Sequence, residues 1–125
     1  MTPEGLAEVM EATWPPAQRV RLGPWWLREG AGGGQRVSAA SPAGAWDEAD
    51  IPQAEAAMDA MGQPRLWVVY GDARLDAALA ARGYRRHDPV VAYAASVSLL
   101  AGELSSMATF PHWPPLAMAC DIWAE

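Results

Sequence analysis

Three stretches of the chain repeat their apolar residues at helical spacing. The spacing predicts helices over residues 3–13, over 52–61 and between positions 72 and 83. Thr2 and Asp72 are suited to cap the first and third helices, because their side-chain oxygens can accept hydrogen bonds from backbone N–H groups. Gly62 and Gly83 supply the left-handed conformation that commonly ends a helix.

Four shorter stretches predict β-strands. Residues 25–29 and 36–40 are joined by a glycine-rich connection over 30–34, which favours a β-hairpin. Residues 66–70 form a continuous apolar run, as is typical of a central strand covered on both faces. Residues 84–93 predict a last strand. The predicted order is αββαβαβ, an α/β (α+β) fold in which helices pack on a sheet.

The pattern after residue 95 is less regular. Residues 96–107 fit either a short helix or a loop, and 110–115 are predicted to be extended. Residues 116–123 have helical spacing, and Pro115 suits the start of a helix. We therefore predict a first domain over 1–110, followed over 111–125 by a linker and the start of a helix that continues into a second domain.

The composition of the chain argues against several classes of protein, among them nucleic-acid-binding, membrane-spanning and secreted ones. The 125 residues suffice for one core. The net charge is -6 and every basic residue is arginine, which argues against nucleic-acid binding because phosphates require a basic surface. No apolar run approaches the about 20 residues that span a bilayer, and the N-terminus lacks the pattern of a secretory signal. A single cysteine fits a reducing compartment. We expect a cytoplasmic protein that binds neither nucleic acid nor membranes.

Most of the residues that could carry chemistry fit no known motif. The glycine-rich connection is not a phosphate-binding P-loop, which requires a lysine, and the predicted strand after it does not fit a dinucleotide fingerprint. His87 and His112 have no metal-ligand spacing, and Cys120 has no second cysteine. A Cys–His catalytic pair stays open, because its members need to be close only in space. We assign no catalytic residue and no metal site.

The arginines that flank the glycine-rich connection are candidates for binding. Arg28 and Arg36 could hold an acidic substrate or a phosphate through parallel hydrogen bonds. Alternatively, they are surface residues paired with Glu29, Asp47 or Glu48. The seven tryptophans either mark an interface or a ligand wall, or fill an alanine-rich core.

Three segments carry a resemblance to a known family. They are 24–30 (PWWLREG), 36–40 (RVSAA) and 79–85 (LAARGYR). Together they resemble the N-terminal half of two-part GNAT-type N-acetyltransferases, a likeness that extends over roughly the whole chain. It makes Arg36 and Ser38 the first choices for substrate binding, followed by Arg28 and Trp26. The match at 79–85 also follows from physics alone, since a glycine cap precedes an aromatic residue that packs back on the sheet.

The resemblance implies acetyl transfer from acetyl-CoA to an amine in a complete protein. The Arg/Gln-x-x-Gly-x-Gly/Ala loop that binds acetyl-CoA in this family does not occur in the chain. We therefore assign no cofactor-binding residue and expect this half alone to be inactive. Its expected partner is a C-terminal GNAT domain or a second copy of itself. The alternative is a free-standing, non-enzymatic module for binding or self-association.

Overall fold

The computed structural model describes residues 2–103 and 112–124. The chain divides into two units, Met1–Val90 and Val91–Glu125. The first unit contains every buried residue of the part described. The predicted domain boundary near residue 110 lies outside the described residues and stays a prediction.

Helix α1, Pro3–Thr13, begins and ends where the sequence predicts. The hydroxyl oxygen of Thr2 accepts a hydrogen bond from the backbone N–H of Gly5 at 3.1 Å, which caps the helix. Two prolines follow Trp14 and prevent the helix from continuing.

The sheet has three antiparallel strands in the order β1-β2-β3. Strand β1 is Gln18–Leu22, β2 is Trp25–Glu29 and β3 is Ser41–Pro42. A tight turn at Gly23, whose φ is +58°, joins β1 to β2, and Val20 lies opposite Leu27. The hairpin therefore precedes β2, whereas the sequence predicted that it follows. Strand β1 was missed because its arginines obscure the alternation of apolar residues.

The predicted strand over 36–40 is wrong. Arg36–Ser38 form one turn of 3₁₀ helix instead. This turn satisfies its own backbone, since the N–H of Ser38 donates to the carbonyl of Gln35 at 3.1 Å. On the side of β2 away from β1, Trp25 and Trp26 pair with residues 41–42 of β3, so the strand begins after the predicted segment.

The predicted strands over 66–70 and 84–93 are also wrong. In the first, Trp67 makes a single parallel bridge to Ala40. The chain there is extended but half-buried, because no longer strand runs beside it. Residues 84–93 have no regular structure; Asp88 adopts a φ of +45° just before Pro89, which interrupts an extended run. The mixed α and β character is confirmed, whereas these two strands of the predicted order are absent.

Helices α2, Ile51–Ala60, and α3, Ala73–Ala81, match the predicted ones. One carboxylate oxygen of Asp72 accepts hydrogen bonds from the backbone N–H groups of Arg74 and Leu75, each at 3.0 Å. Gly62 and Gly83 follow the two helices with φ values of +68° and +91°, as predicted.

The core lies between β2 and the helices α2 and α3. Its largest fully buried side chains are Trp25, Ile51, Met58 and Leu75. Along β2, Trp25 and Leu27 belong to this core. Because side chains alternate along a strand, Trp26 and Arg28 point to the opposite face, where Arg28 contacts α1.

The second unit contains two short helices, α4 at Val97–Leu100 and α5 at Ala117–Trp123. Helix α5 confirms the helix predicted over 116–123. The helix predicted as one option over 96–107 is present for four residues, and positions 104–107 lie outside the described residues, as do 110 and 111.

Candidate functional site

Arg28 lies in a polar pocket on the face of β2 that is directed away from the core. Its side chain is 6% exposed. Its Nε lies 3.0 and 2.9 Å from the two carboxylate oxygens of Glu11, and its Nη1 donates to the carbonyl of Ala39 at 2.9 Å and to the hydroxyl of Ser41 at 3.0 Å. The guanidinium thus joins α1 to residues 39 and 41, and internal acceptors engage its Nε and Nη1.

Ser38 and the glycine-rich connection form a closed structural loop. The Ser38 hydroxyl donates to the carbonyl of Gly34 at 2.7 Å. A Cβ at Gly30 would lie 2.0 Å from the Ser38 oxygen, so only glycine fits there. Gln63 ties down the loop, because its side chain accepts from the N–H of Gly30 and donates to the carbonyl of Arg28, both at 2.8 Å.

Arg36 and Trp26 are held by fewer side-chain hydrogen bonds than Arg28 and Ser38. The guanidinium carbon of Arg36 lies 5.4 Å from the centre of the Trp14 ring. Its Nη2 is buried, and no hydrogen-bond partner for it exists among the residues that the structure describes. Trp26 is half-buried beneath Arg19, whose guanidinium carbon lies 4.1 Å from the ring centre. The four candidates for substrate binding, Arg28, Ser38, Arg36 and Trp26, therefore lie in four different environments.

The tryptophans divide between core and surface. Trp25 packs edge-on against Trp67 with ring centres 4.9 Å apart, and lies 5.7 Å from Trp46. Trp25 belongs to the core, and Trp46 and Trp67 are partly buried against it, which agrees in part with the interpretation that tryptophans fill the core. Trp14, Trp113 and Trp123 are exposed.

A second polar cluster, which the sequence did not reveal, surrounds Glu55 of α2. Its carboxylate accepts from Nε and Nη2 of Arg82 at 3.1 and 2.5 Å, and from the hydroxyl of Tyr84 at 2.9 Å. The hydrogen bonds from Arg82 lower the pKa of Glu55, and burial raises the pKa of Tyr84. The cluster fastens α2 to the turn that follows α3.

The Glu55 cluster borders an open depression of about 490 Å³. The lining residues are Glu55, Arg65, Ala81, Arg82, Gly83 and Tyr84. Both arginines already have acidic partners, since Arg65 contacts the carboxylate of Asp59 at 2.9 and 2.5 Å. The positive charges of Arg65 and Arg82 are balanced by the carboxylates of Glu55 and Asp59, as is typical of a structural ion-pair network.

Acid is expected to weaken this network. Because the pKa of Glu55 is lowered on folding from 4.5, its contribution to stability is complete above about pH 4.5 and is lost as the pH falls through the lower folded value. Glu55→Gln should reduce the free energy of unfolding by about 1 kcal/mol at pH 7, and by less at pH 3. Urea unfolding at the two pH values measures the difference.

Tyr84→Phe is the graded comparison for this experiment. It removes one hydrogen bond to Glu55 and leaves the two from Arg82, so it should reduce the pH dependence only in part. A Glu55→Gln protein whose stability falls between pH 7 and pH 3 as steeply as that of the wild type would contradict the assignment.

The remaining titratable candidates are separate from these clusters. His87 lies on the surface with its Nε2 3.2 Å from the carboxylate of Asp88, and Cys120 is exposed on α5. Within residues 2–103 and 112–124, no three histidine, cysteine, aspartate or glutamate side chains are grouped so that they could hold a metal ion. In the same part of the chain, no helix is both long and apolar enough to cross a membrane.

The second unit exposes its apolar side chains. We call the described residues of 91–124 the apolar segment, and none of them is buried. Its large exposed side chains are Val91, Tyr93, Val97, Leu99, Leu100, Trp113, Leu116, Met118, Ile122 and Trp123. On α5, Met118 and Ile122 lie one turn apart, and Trp123 extends the apolar surface around the helix. Exposed apolar surface concentrated in one segment commonly marks a contact with another protein or with a membrane.

Comparison of the chain with protein-family models, with curated proteins and with solved structures finds no match.

Proposed function

We propose that this chain is the non-catalytic N-terminal half of a two-part GNAT-type N-acetyltransferase, and that the apolar segment packs against the half that binds acetyl-CoA. The exposure of the apolar segment carries the proposal, together with the resemblance of segments 24–30, 36–40 and 79–85. A large apolar side chain contributes roughly 1.5–3 kcal/mol when it moves from water into a packed interface. Ten such side chains are a strong reason for the segment to bind another protein surface.

The first unit acts in this proposal as a scaffold on the substrate side. The internal bonds of Arg28 and Ser38 suit a structural role. Arg36 is the candidate for contact with an acidic substrate group, because its half-buried guanidinium lies against the exposed Trp14 ring rather than against a carboxylate. The guanidinium of Arg36 lies against the ring of Trp14, and that of Arg19 lies against the ring of Trp26. Both rings therefore supply aromatic surface beside an arginine.

Reading the encoding DNA beyond the codon for Glu125 tests the acetyltransferase proposal. We expect the frame to continue and to encode Arg/Gln-x-x-Gly-x-Gly/Ala, the loop that would hold the pyrophosphate of acetyl-CoA at a helix N-terminus. Calorimetry on the longer product should then show acetyl-CoA binding that the 125-residue chain lacks. A stop codon immediately after Glu125 would overturn the proposal.

The second candidate is self-association through the same apolar segment. It predicts that the 125-residue chain forms dimers in sedimentation equilibrium and that Ile122→Asp restores the monomer. Val9→Asp is the matched control, because Val9 is an exposed apolar residue of α1 outside the segment. A wild-type chain that stays monomeric at all concentrations excludes this candidate and leaves the first one standing.

A further inference from the structure

Strand β1 has one free edge. It pairs with β2 along its whole length and ends the sheet on the other side. No other strand of the described chain adjoins that side. Alternate backbone N–H and C=O groups of such a strand are directed outward and can pair with an added strand.

An apolar groove continues from this edge under the sheet. Its volume is about 350 Å³; Val20, Leu27, Ala57 and Met61 are among its apolar lining residues, and Gln18 and Glu29 are its polar ones. Helix α2 covers the core face of β2 but leaves that of β1 open, so that Val20 is 47% exposed. A strand added at the edge would place every second side chain against this groove.

The opposite face of β1 is basic. Arg19 and Arg21 alternate with Val20 and therefore lie on the face away from the groove. Arg19 is 40% exposed in its side chain and lies 3.7 Å from the Glu11 carboxylate. Arg21 is exposed, and its Nε donates to the backbone carbonyl of Gly23 rather than to a carboxylate. A second copy of β1 in antiparallel register about Val20 would set arginine against arginine, which is destabilising. Acidic side chains at these positions would instead be attracted.

We propose that the β1 edge binds an extended segment of another protein in which apolar and acidic residues alternate. The backbone of the segment adds a fourth strand to the sheet, its apolar side chains enter the groove beside Val20, and its carboxylates pair with Arg19 and Arg21. This surface belongs to the first unit and is independent of the apolar segment and of the acetyltransferase proposal.

Two fluorescein-labelled peptides test the proposal on the full 125-residue chain, one of alternating glutamate and valine and the other of alternating lysine and valine. Binding is measured by fluorescence anisotropy at about 150 mM salt. The electrostatic screening length is then about 8 Å, so that mainly the charges close to the bound peptide affect its affinity. We expect the acidic peptide to bind about tenfold more tightly, because Arg19 and Arg21 attract its carboxylates and repel the lysines of the other peptide. Backbone amide NMR signals of residues 18–22 should shift on binding.

Charge reversal supplies the matched variants. Arg21→Glu should abolish the preference for the acidic peptide, whereas Arg85→Glu makes the same charge change at an exposed arginine outside the sheet and should preserve it. Val20→Glu should weaken both peptides because it places a charge in the groove. Equal binding of the two peptides, NMR shifts that avoid residues 18–22, or a dimer that already occupies the edge would each overturn the proposal.

Discussion

Trp25→Ala is expected to lower the free energy of unfolding by about 4 kcal/mol, the largest effect of any single substitution considered for this chain. The side chain is fully buried at the centre of the core, and its indole N–H donates to the carbonyl of Asp50 at 2.9 Å. Truncation would leave a cavity between the rings of Trp46 and Trp67 and would remove the indole hydrogen bond to the carbonyl at the start of α2. Urea unfolding followed by circular dichroism at pH 7 measures the loss.

Trp14→Ala is the control for this prediction. Trp14 is 56% exposed, and its ring contacts Arg36 at a distance where a cation–π interaction contributes about 0.5–1 kcal/mol. We expect a loss of no more than this amount. If the two substitutions cost the same, the aromatic cluster around Trp25 would not be the centre of the core.

The helices could be predicted because their signals are local. Thr2 and Asp72 each cap a helix within three residues of their own position, and Gly62 and Gly83 end helices with positive φ angles. The strands could not, because pairing depends on residues distant in sequence. The apolar run over 66–70 satisfies the pattern of a central strand, but within residues 2–103 and 112–124 only Ala40 offers it a partner. Its apolar side chains instead cover the edge of the core, where Trp67 packs on Trp25.

The polar clusters were hidden for the same reason. The sequence offered Glu29, Asp47 and Glu48 as partners for the arginines near the glycine-rich connection, whereas Arg28 binds Glu11, 17 residues earlier. Glu55 and Arg82 are 27 residues apart and belong to different helical segments. The sequence shows which residues are acidic and which are basic, but the fold determines which carboxylate pairs with which arginine. One local signal existed for Arg28. Because side chains alternate along a strand, the residue after the core-facing Leu27 is expected to lie on the face directed away from the core.

Arg28→Ala is expected to lower the free energy of unfolding by about 3 kcal/mol, because it removes one partner of a buried ion pair. The carboxylate of Glu11 would keep only its longer contact with Arg19, at 3.7 Å, and the Ala39 carbonyl and Ser41 hydroxyl would each lose a donor. Helix α1 should detach first, since this guanidinium joins it to the sheet. Urea unfolding measures the global loss, and hydrogen exchange of the α1 amides measures the local one.

Two other arginine substitutions separate a structural role from a binding role. Arg19→Ala removes a guanidinium 3.7 Å from the same Glu11, but this pair is largely exposed and should contribute less than about 1 kcal/mol. Arg36→Ala removes the candidate for substrate contact and should likewise change stability by less than about 1 kcal/mol. A wild-type unfolding curve for Arg28→Ala would contradict the structural assignment and return Arg28 to the substrate-binding candidates. A large loss at Arg28 alone leaves Arg36 as the substrate-binding candidate of the two arginines that flank the glycine-rich connection.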